Sequence, residues 1–223
     1  MSEQVQSKLN RMKKTAKTLK TLTTITSLLV VVLLVLYLLL PAANLYLEGS
    51  SSKYGRAGGY NYYGWQLTII GYGYPPVAAL AMLENAALLA GDFIPTSYDF
   101  YPNTTLITAI IVPIIAMIVL GIVSAFMKNR GKAVCEWLTS GVLIYAGVTL
   151  ANCVNHAIPM ATNTGTTTFR NSYLIPAVNA GTFTTCIFPI LICAALVAIA
   201  LFKAYRGVFL LQQRAYARKN IRN

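Results

Sequence analysis

The chain of 223 residues is 56% hydrophobic and only 11% charged, with a mean hydropathy of +0.58. A soluble domain carries charge on about a quarter of its residues, so this composition excludes an ordinary water-facing globule and points to a polytopic membrane protein. The formal charge of +12 does not make it a nucleic-acid binder, because 15 of the 18 Lys and Arg fall in three clusters, Lys8–Lys20, Lys128–Lys132 and Lys203–Arg222, each beside an apolar stretch. That is the pattern of the positive-inside rule.

Residues 1–20 form a basic amphipathic segment. Val5, Leu9, Met12, Ala16 and Leu19 recur at spacings of 4, 3, 4 and 3 in an otherwise polar and cationic body, which is a helical stripe. Such a helix either lies on the anionic inner leaflet, with Lys13, Lys14 and Lys17 toward lipid headgroups or another polyanion, or makes a short heptad stem between protomers. Residues 21–43 are the first span. Its centre, Ser27–Leu40, has no charge and no glycine, and the whole is long enough for a ~30 Å hydrocarbon layer. Pro41 would stand three residues before a cleavage point at Ala43, an unfavourable place for a signal-peptide site, so the segment reads as an uncleaved span entering from the cytoplasm.

Residues 44–103 follow as an outer domain of α+β character. Trp65, Leu67 and Ile69 alternate with Gln66 and Thr68, which predicts a strand with one buried face. Pro76 to Ala90 predicts a helix, with Gly91 just past its end. Trp65, Leu67, Ile69, Leu80 and Leu83 are expected to form this domain's core. A carboxylate at Glu84 is expected to pair with Lys53, Arg56 or Arg170. Nine of the 14 tyrosines lie in these 60 residues. Tyr60, Tyr62, Tyr63, Tyr72 and Tyr74 exceed what so small a core can hold. They predict either lateral contacts in an oligomer or an aromatic belt at the outer leaflet.

The second span covers 104–127 and carries Pro113; a basic loop, 128–132, leads into the third span, 133–155. Glu136 stands one turn inside that span, where a helix N-terminus favours an anion, and Trp137 beside it suits an interfacial anchor. An outer loop, 156–182, begins at His156, where a loop hydrogen bond is expected, and has a turn signal at Asn163–Gly165. The fourth span, 183–204, carries Pro189, and a basic tail, 205–223, places Arg214, Arg218 and Lys219 against anionic lipid or another polyanion. Pro113 and Pro189 are expected to kink their helices. Aligned on these prolines, Pro113, Ile114, Leu120, Phe126, Arg130 and Gly131 match Pro189, Ile190, Leu196, Phe202, Arg206 and Gly207 at a constant offset, which suggests two like-oriented hairpins. Cys153 and Cys186 bracket the second outer loop, either as a disulfide or as small packing residues.

The expected fold is therefore a mainly α membrane protein of four transmembrane helices, both termini cytoplasmic, with a small α+β domain between the first two spans. This layout, with Gly64-Trp65-Gln66-Leu67 in a long first outer loop, resembles claudin-like tetraspan proteins. It departs from their pattern of a tryptophan followed by two cysteines, since no cysteine lies between Ala43 and Asn103. The Gly-Trp-Gln stretch is also similar to that of small four-span membrane proteins of Gram-positive bacteria. Neither resemblance carries over a functional residue.

The sequence has no Gly-rich phosphate loop, no clustered metal ligands, and no Ser/His/Asp arrangement, so no enzyme, cofactor or metal is expected. The leading expectation is a structural or assembly component of the plasma membrane, homo-oligomeric or part of a complex and in contact with anionic inner-leaflet lipids. A pore or transport-complex subunit is the alternative. Docking of RNA or another polyanion at the cytoplasmic face ranks below both.

Overall fold

The computed structural model describes residues 3–47, 58–70, 102–156 and 181–221. In chain order its elements are α1 (Glu3–Leu39), β1 (Pro41–Leu47), β2 (Gly58–Tyr63), a π-helical turn (Gln66–Ile70), α2 (Thr104–Phe126), α3 (Asn129–Ala151), β3 (Gly181–Thr185) and α4 (Ile187–Ile221). The described residues are mostly helical, and the four helices among them are long and apolar enough to cross a membrane. Their apolar faces place it as a membrane-embedded protein.

No glycine or proline interrupts Glu3–Leu39, so the basic segment and the first span are one helix, about 55 Å long at 1.5 Å per residue. It ends at Leu39 rather than continuing to Ala43, because Pro41 offers no N–H to a helix and begins β1 instead. Thr15, Thr18, Thr21, Thr23, Thr24 and Ser27 each donate their hydroxyl to the carbonyl four residues earlier. The helix thereby satisfies its own polar side chains as it enters the apolar stretch. The stripe Val5, Leu9, Met12, Ala16 and Leu19 is the covered face of the basic part, while Lys13, Lys14 and Lys17 are exposed. Lys8 Nζ stands 5.0 Å over the ring of Tyr216 on α4. The stripe is turned to the chain itself and continues straight into the span. Arg218 and Lys219 are exposed and Arg214 half-buried on the tail, which likewise continues the last span without a break as part of α4.

The chain divides into two compact units. The first comprises Met1–Leu33, Ile111–Ala146 and Ala194–Asn223, and holds the basic portions of the helices. Val30, Ala133, Leu143, Ala146, Leu196 and Ala200 are fully buried in it. Here α3 and α4 approach closely through small residues. Ser140 Oγ donates to the Ala200 carbonyl at 2.9 Å, and Trp137 Nε1 to the Ala204 carbonyl at 3.3 Å. A Cβ added at Gly207 would lie 2.6 Å from Trp137 Nε1, so the indole needs glycine there. Trp137 is therefore a packing residue between helices as well as a partly exposed one.

The second unit comprises Leu34–Ile110 and Gly147–Cys193. Its centre is a three-stranded antiparallel sheet in the order β2-β1-β3. The sheet draws a strand from each of the two long connections, so the expected outer domain is not built from residues 44–103 alone: β3 occupies Gly181–Thr185, where the fourth span was expected to begin. A bulge between Pro41 and Ala43 interrupts the register with β2, and the Ala42 carbonyl accepts instead from the Cys186 N–H at 2.9 Å. Ala42, Ala43, Tyr37 and Tyr62 are buried around it. A Cβ at Gly64 would fall on the Tyr37 carbonyl oxygen, and the Gly64 N–H donates to the Leu40 carbonyl at 3.2 Å.

The strand expected at Trp65–Ile69 is a π-helical turn. Thr68 Oγ1 donates to the Gly64 carbonyl at 2.7 Å, and Gln66 Oε1 accepts from the Tyr63 N–H at 3.0 Å. These local bonds close a helical turn that the two-residue alternation did not anticipate. Consecutive residues Gln66, Leu67 and Thr68 are therefore buried together, whereas Ile69 is 54% exposed and Trp65 half-buried. Of the expected core, only Leu67 is fully buried among the described residues; Leu80 and Leu83 lie outside them, as do the Pro76–Ala90 helix, Tyr72, Tyr74, the partners of Glu84 and the Asn163–Gly165 turn. Asn103 caps α2: its Oδ1 accepts from the Leu106 N–H at 3.2 Å. Its Nδ2 donates to the His156 carbonyl at 3.4 Å.

Pro113 is an interior residue of α2, which continues past it. Pro189 is the third residue of α4. In a first turn its missing N–H has no intrahelical acceptor to lose, so it starts a helix rather than kinking one. The 76-residue correspondence fails for the same reason. Residues 113–131 run off the end of α2 into α3, while residues 189–207 are one uninterrupted helix. All four cysteines are free thiols, with Cys153 buried and its Sγ 3.5 Å from the Ala42 carbonyl.

Candidate functional site

The first unit contains a cleft of ≈ 240 Å³ between the helices. Four elements supply its walls: Thr23, Thr24 and Ser27 from α1, Met117 to Ser124 from α2, Cys135 to Thr139 from α3, and Lys203 with Arg206 from α4. Each contribution follows from helical spacing. Residues three and four apart share a face, so Thr23 and Ser27, Leu120 and Ser124, Cys135 and Thr139, and Lys203 and Arg206 each form one stacked pair.

Glu136, Lys203 and Arg206 are the chemical centre. Arg206 Nη1 donates to Glu136 Oε1, and Lys203 Nζ lies 3.9 Å from Glu136 Oε2 and donates to Ser27 Oγ at 3.2 Å. The side chains are 11%, 4% and 15% exposed for Glu136, Lys203 and Arg206. Charge held this far from water persists only when paired and hydrogen-bonded. Glu136 is the eighth residue of α3, two turns from the start, beyond the reach of the helix N-terminus expected to favour it. Its partners are on α4, not the neighbouring Lys132.

From sequence Glu136 stands alone, and Lys203 is not legible as its partner because it heads the basic cluster Lys203–Arg222 at the end of the fourth span. One signal was available: Lys203 follows an apolar run and precedes Arg206 by three residues, which aligns two cations on one face. What faces them could not be read locally.

The other expected site residues do not converge here. Lys13, Lys14, Lys17, Arg218 and Lys219 are exposed on α1 and α4. Tyr62 is fully buried in the second unit and serves its core, not an exposed contact surface; Tyr63, its neighbour in β2, is 36% exposed. Tyr60 lies in β2 by its backbone, its side chain being outside the described residues.

No family model matches this chain, and no curated protein or solved structure proves similar to it.

Proposed function

We propose that the protein is a non-enzymatic, four-span integral membrane protein that acts as a structural or assembly component, oligomeric or within a larger membrane complex, with both termini cytoplasmic. The observation that supports this reading is the sheet. It ties the two long connections into one unit around β1 and, among the described residues, has β2 and β3 as its two outermost strands. An edge strand presents backbone donors and acceptors to a further strand, and the half-exposed Tyr63 adds contact area with a polar tip. The claudin-like layout is consistent with such a role. The test is the particle mass in mild detergent. Tyr63→Ala should reduce it without loss of folded protein; an unchanged mass in this variant refutes assembly through this surface.

A second reading, a transport-complex subunit, is favoured by the polar cleft. Intramembrane ionisable groups mark ligand or ion paths more often than they serve stability. Reconstituted protein that passes no solute, alone or with copurifying partners, removes this reading.

A further inference from the structure

We infer that the cleft between α1, α2, α3 and α4 is a binding site for a phosphate monoanion, of the kind carried by an anionic lipid headgroup. Among the described residues two cations, Lys203 and Arg206, face a single carboxylate, Glu136, so their side chains carry one positive charge in excess. Lys203 is 3% exposed as a residue. Of its three N–H donors, one reaches Ser27 Oγ at 3.2 Å, and Glu136 stands off at 3.9 Å. An ammonium this buried has donor capacity and charge still to be met, and one anion supplies both.

A second observation narrows the ligand. Glu136 Oε2 is buried and accepts no hydrogen bond among the described residues. A carboxylate oxygen beside an anion site calls for a donor on the same ligand. A phosphodiester bearing a free hydroxyl provides both features: the phosphate meets Lys203 and Arg206, and the hydroxyl donates to Glu136. Hydroxyls of Thr23, Thr24, Ser124 and Thr139 line the remaining walls but already give their protons to carbonyls of their own helices, which leaves Lys203 and Arg206 as the donors to the anion.

The surroundings suit a lipid source. Exposed Ile25 and Leu28 on α1 and Ile118 and Ile122 on α2 flank the cleft residues with apolar surface, against which acyl chains can lie. Basic pockets between membrane helices are known to take anionic headgroups as a class. The same chemistry would accept a soluble phosphate ester, so the experiment separates the two sources.

Delipidated full-length protein in detergent is titrated with phosphatidylglycerol, with phosphatidylcholine and with inorganic phosphate, and occupancy is read by native mass spectrometry. We expect one phosphatidylglycerol per chain, bound at least tenfold more tightly than phosphatidylcholine, whose headgroup is neutral overall and has no hydroxyl donor. Lys203→Met should lose the preference. Gly121→Leu is the decisive variant, because nothing lies within 4 Å of a Cβ built there. The new side chain enters open space at the wall of the cleft, and should also weaken binding at least tenfold while particle mass is otherwise unchanged. Phosphate binding that is lost in Gly121→Leu, without lipid preference, assigns the site to a soluble phosphate. Equal binding of both lipids together with no phosphate binding, or unaltered binding by Gly121→Leu, overturns the inference and places any anion on exposed lysines such as Lys13 and Lys17.

Discussion

Glu136→Gln should be the most destabilising isosteric change in the first unit. The amide keeps the shape of the side chain but removes the only negative charge that faces Lys203 and Arg206 among the described residues. All three side chains are 15% exposed or less, so solvent screening cannot absorb the loss. Breaking a buried pair from one side costs about 3–5 kcal/mol, because a charge is left uncompensated. Ser140→Ala, which removes the interhelical hydrogen bond to the Ala200 carbonyl, should cost only about 0.6 kcal/mol, the mean for such bonds within membranes. Replacing Glu136, Lys203 and Arg206 together by Met should cost less than Glu136→Gln alone, since no buried charge remains. Trp137 neighbours Glu136 on α3 and reports on this unit, so a Trp65→Phe background allows unfolding in mixed micelles to be followed by its fluorescence. If Glu136→Gln falls within about 1 kcal/mol of its parent, or the triple replacement is worse than the single one, the triad is not the buried, mutually compensating cluster on which this reasoning depends.

Three further outcomes follow from the second unit and from the charge pattern. Gly64→Ala should lower the yield of folded protein, because its Cβ would meet the Tyr37 backbone carbonyl rather than a movable side chain; wild-type thermal stability of this variant would contradict the packing. Tyr62→Ala should destabilise by about 3–5 kcal/mol, as for other large buried aromatics, whereas Tyr63→Ala should change stability by less than about 1 kcal/mol; comparable losses for the two, measured by thermal unfolding, would refute their different burial. Cysteines introduced at Ser52 and Thr166 should react with an impermeant thiol reagent in intact cells, and one at Ser7 should not. The reverse labelling pattern would overturn the proposed orientation.

Four helices, their order and their basic ends are legible in the sequence. Each span is a local property: the backbone must satisfy its own hydrogen bonds in hydrocarbon, and about 20 apolar residues suffice to specify that. The stripe from Val5 to Leu19 is legible for the same reason, since its period identifies the covered face whatever covers it. Tertiary structure decided the rest. Alternation at Trp65–Ile69 signalled a strand, yet the bonds from Thr68 to Gly64 and from Tyr63 to Gln66 closed a helical turn. Local side-chain-to-backbone bonds compete with a ladder whose partner strand is distant. β3 could not be placed beside β1 because strand pairing across more than 130 residues leaves no periodic trace in either segment. Pro189 looked equivalent to Pro113 until the helix start was located two residues before it. The ion triad is the clearest case. Glu136 and Arg206 are 70 residues apart, and from sequence Glu136 has nearer cations at Arg130 and Lys132. Only the packing of α3 on α4, through Ser140, Ala200 and Gly207, brings the carboxylate and both cations into one buried cluster.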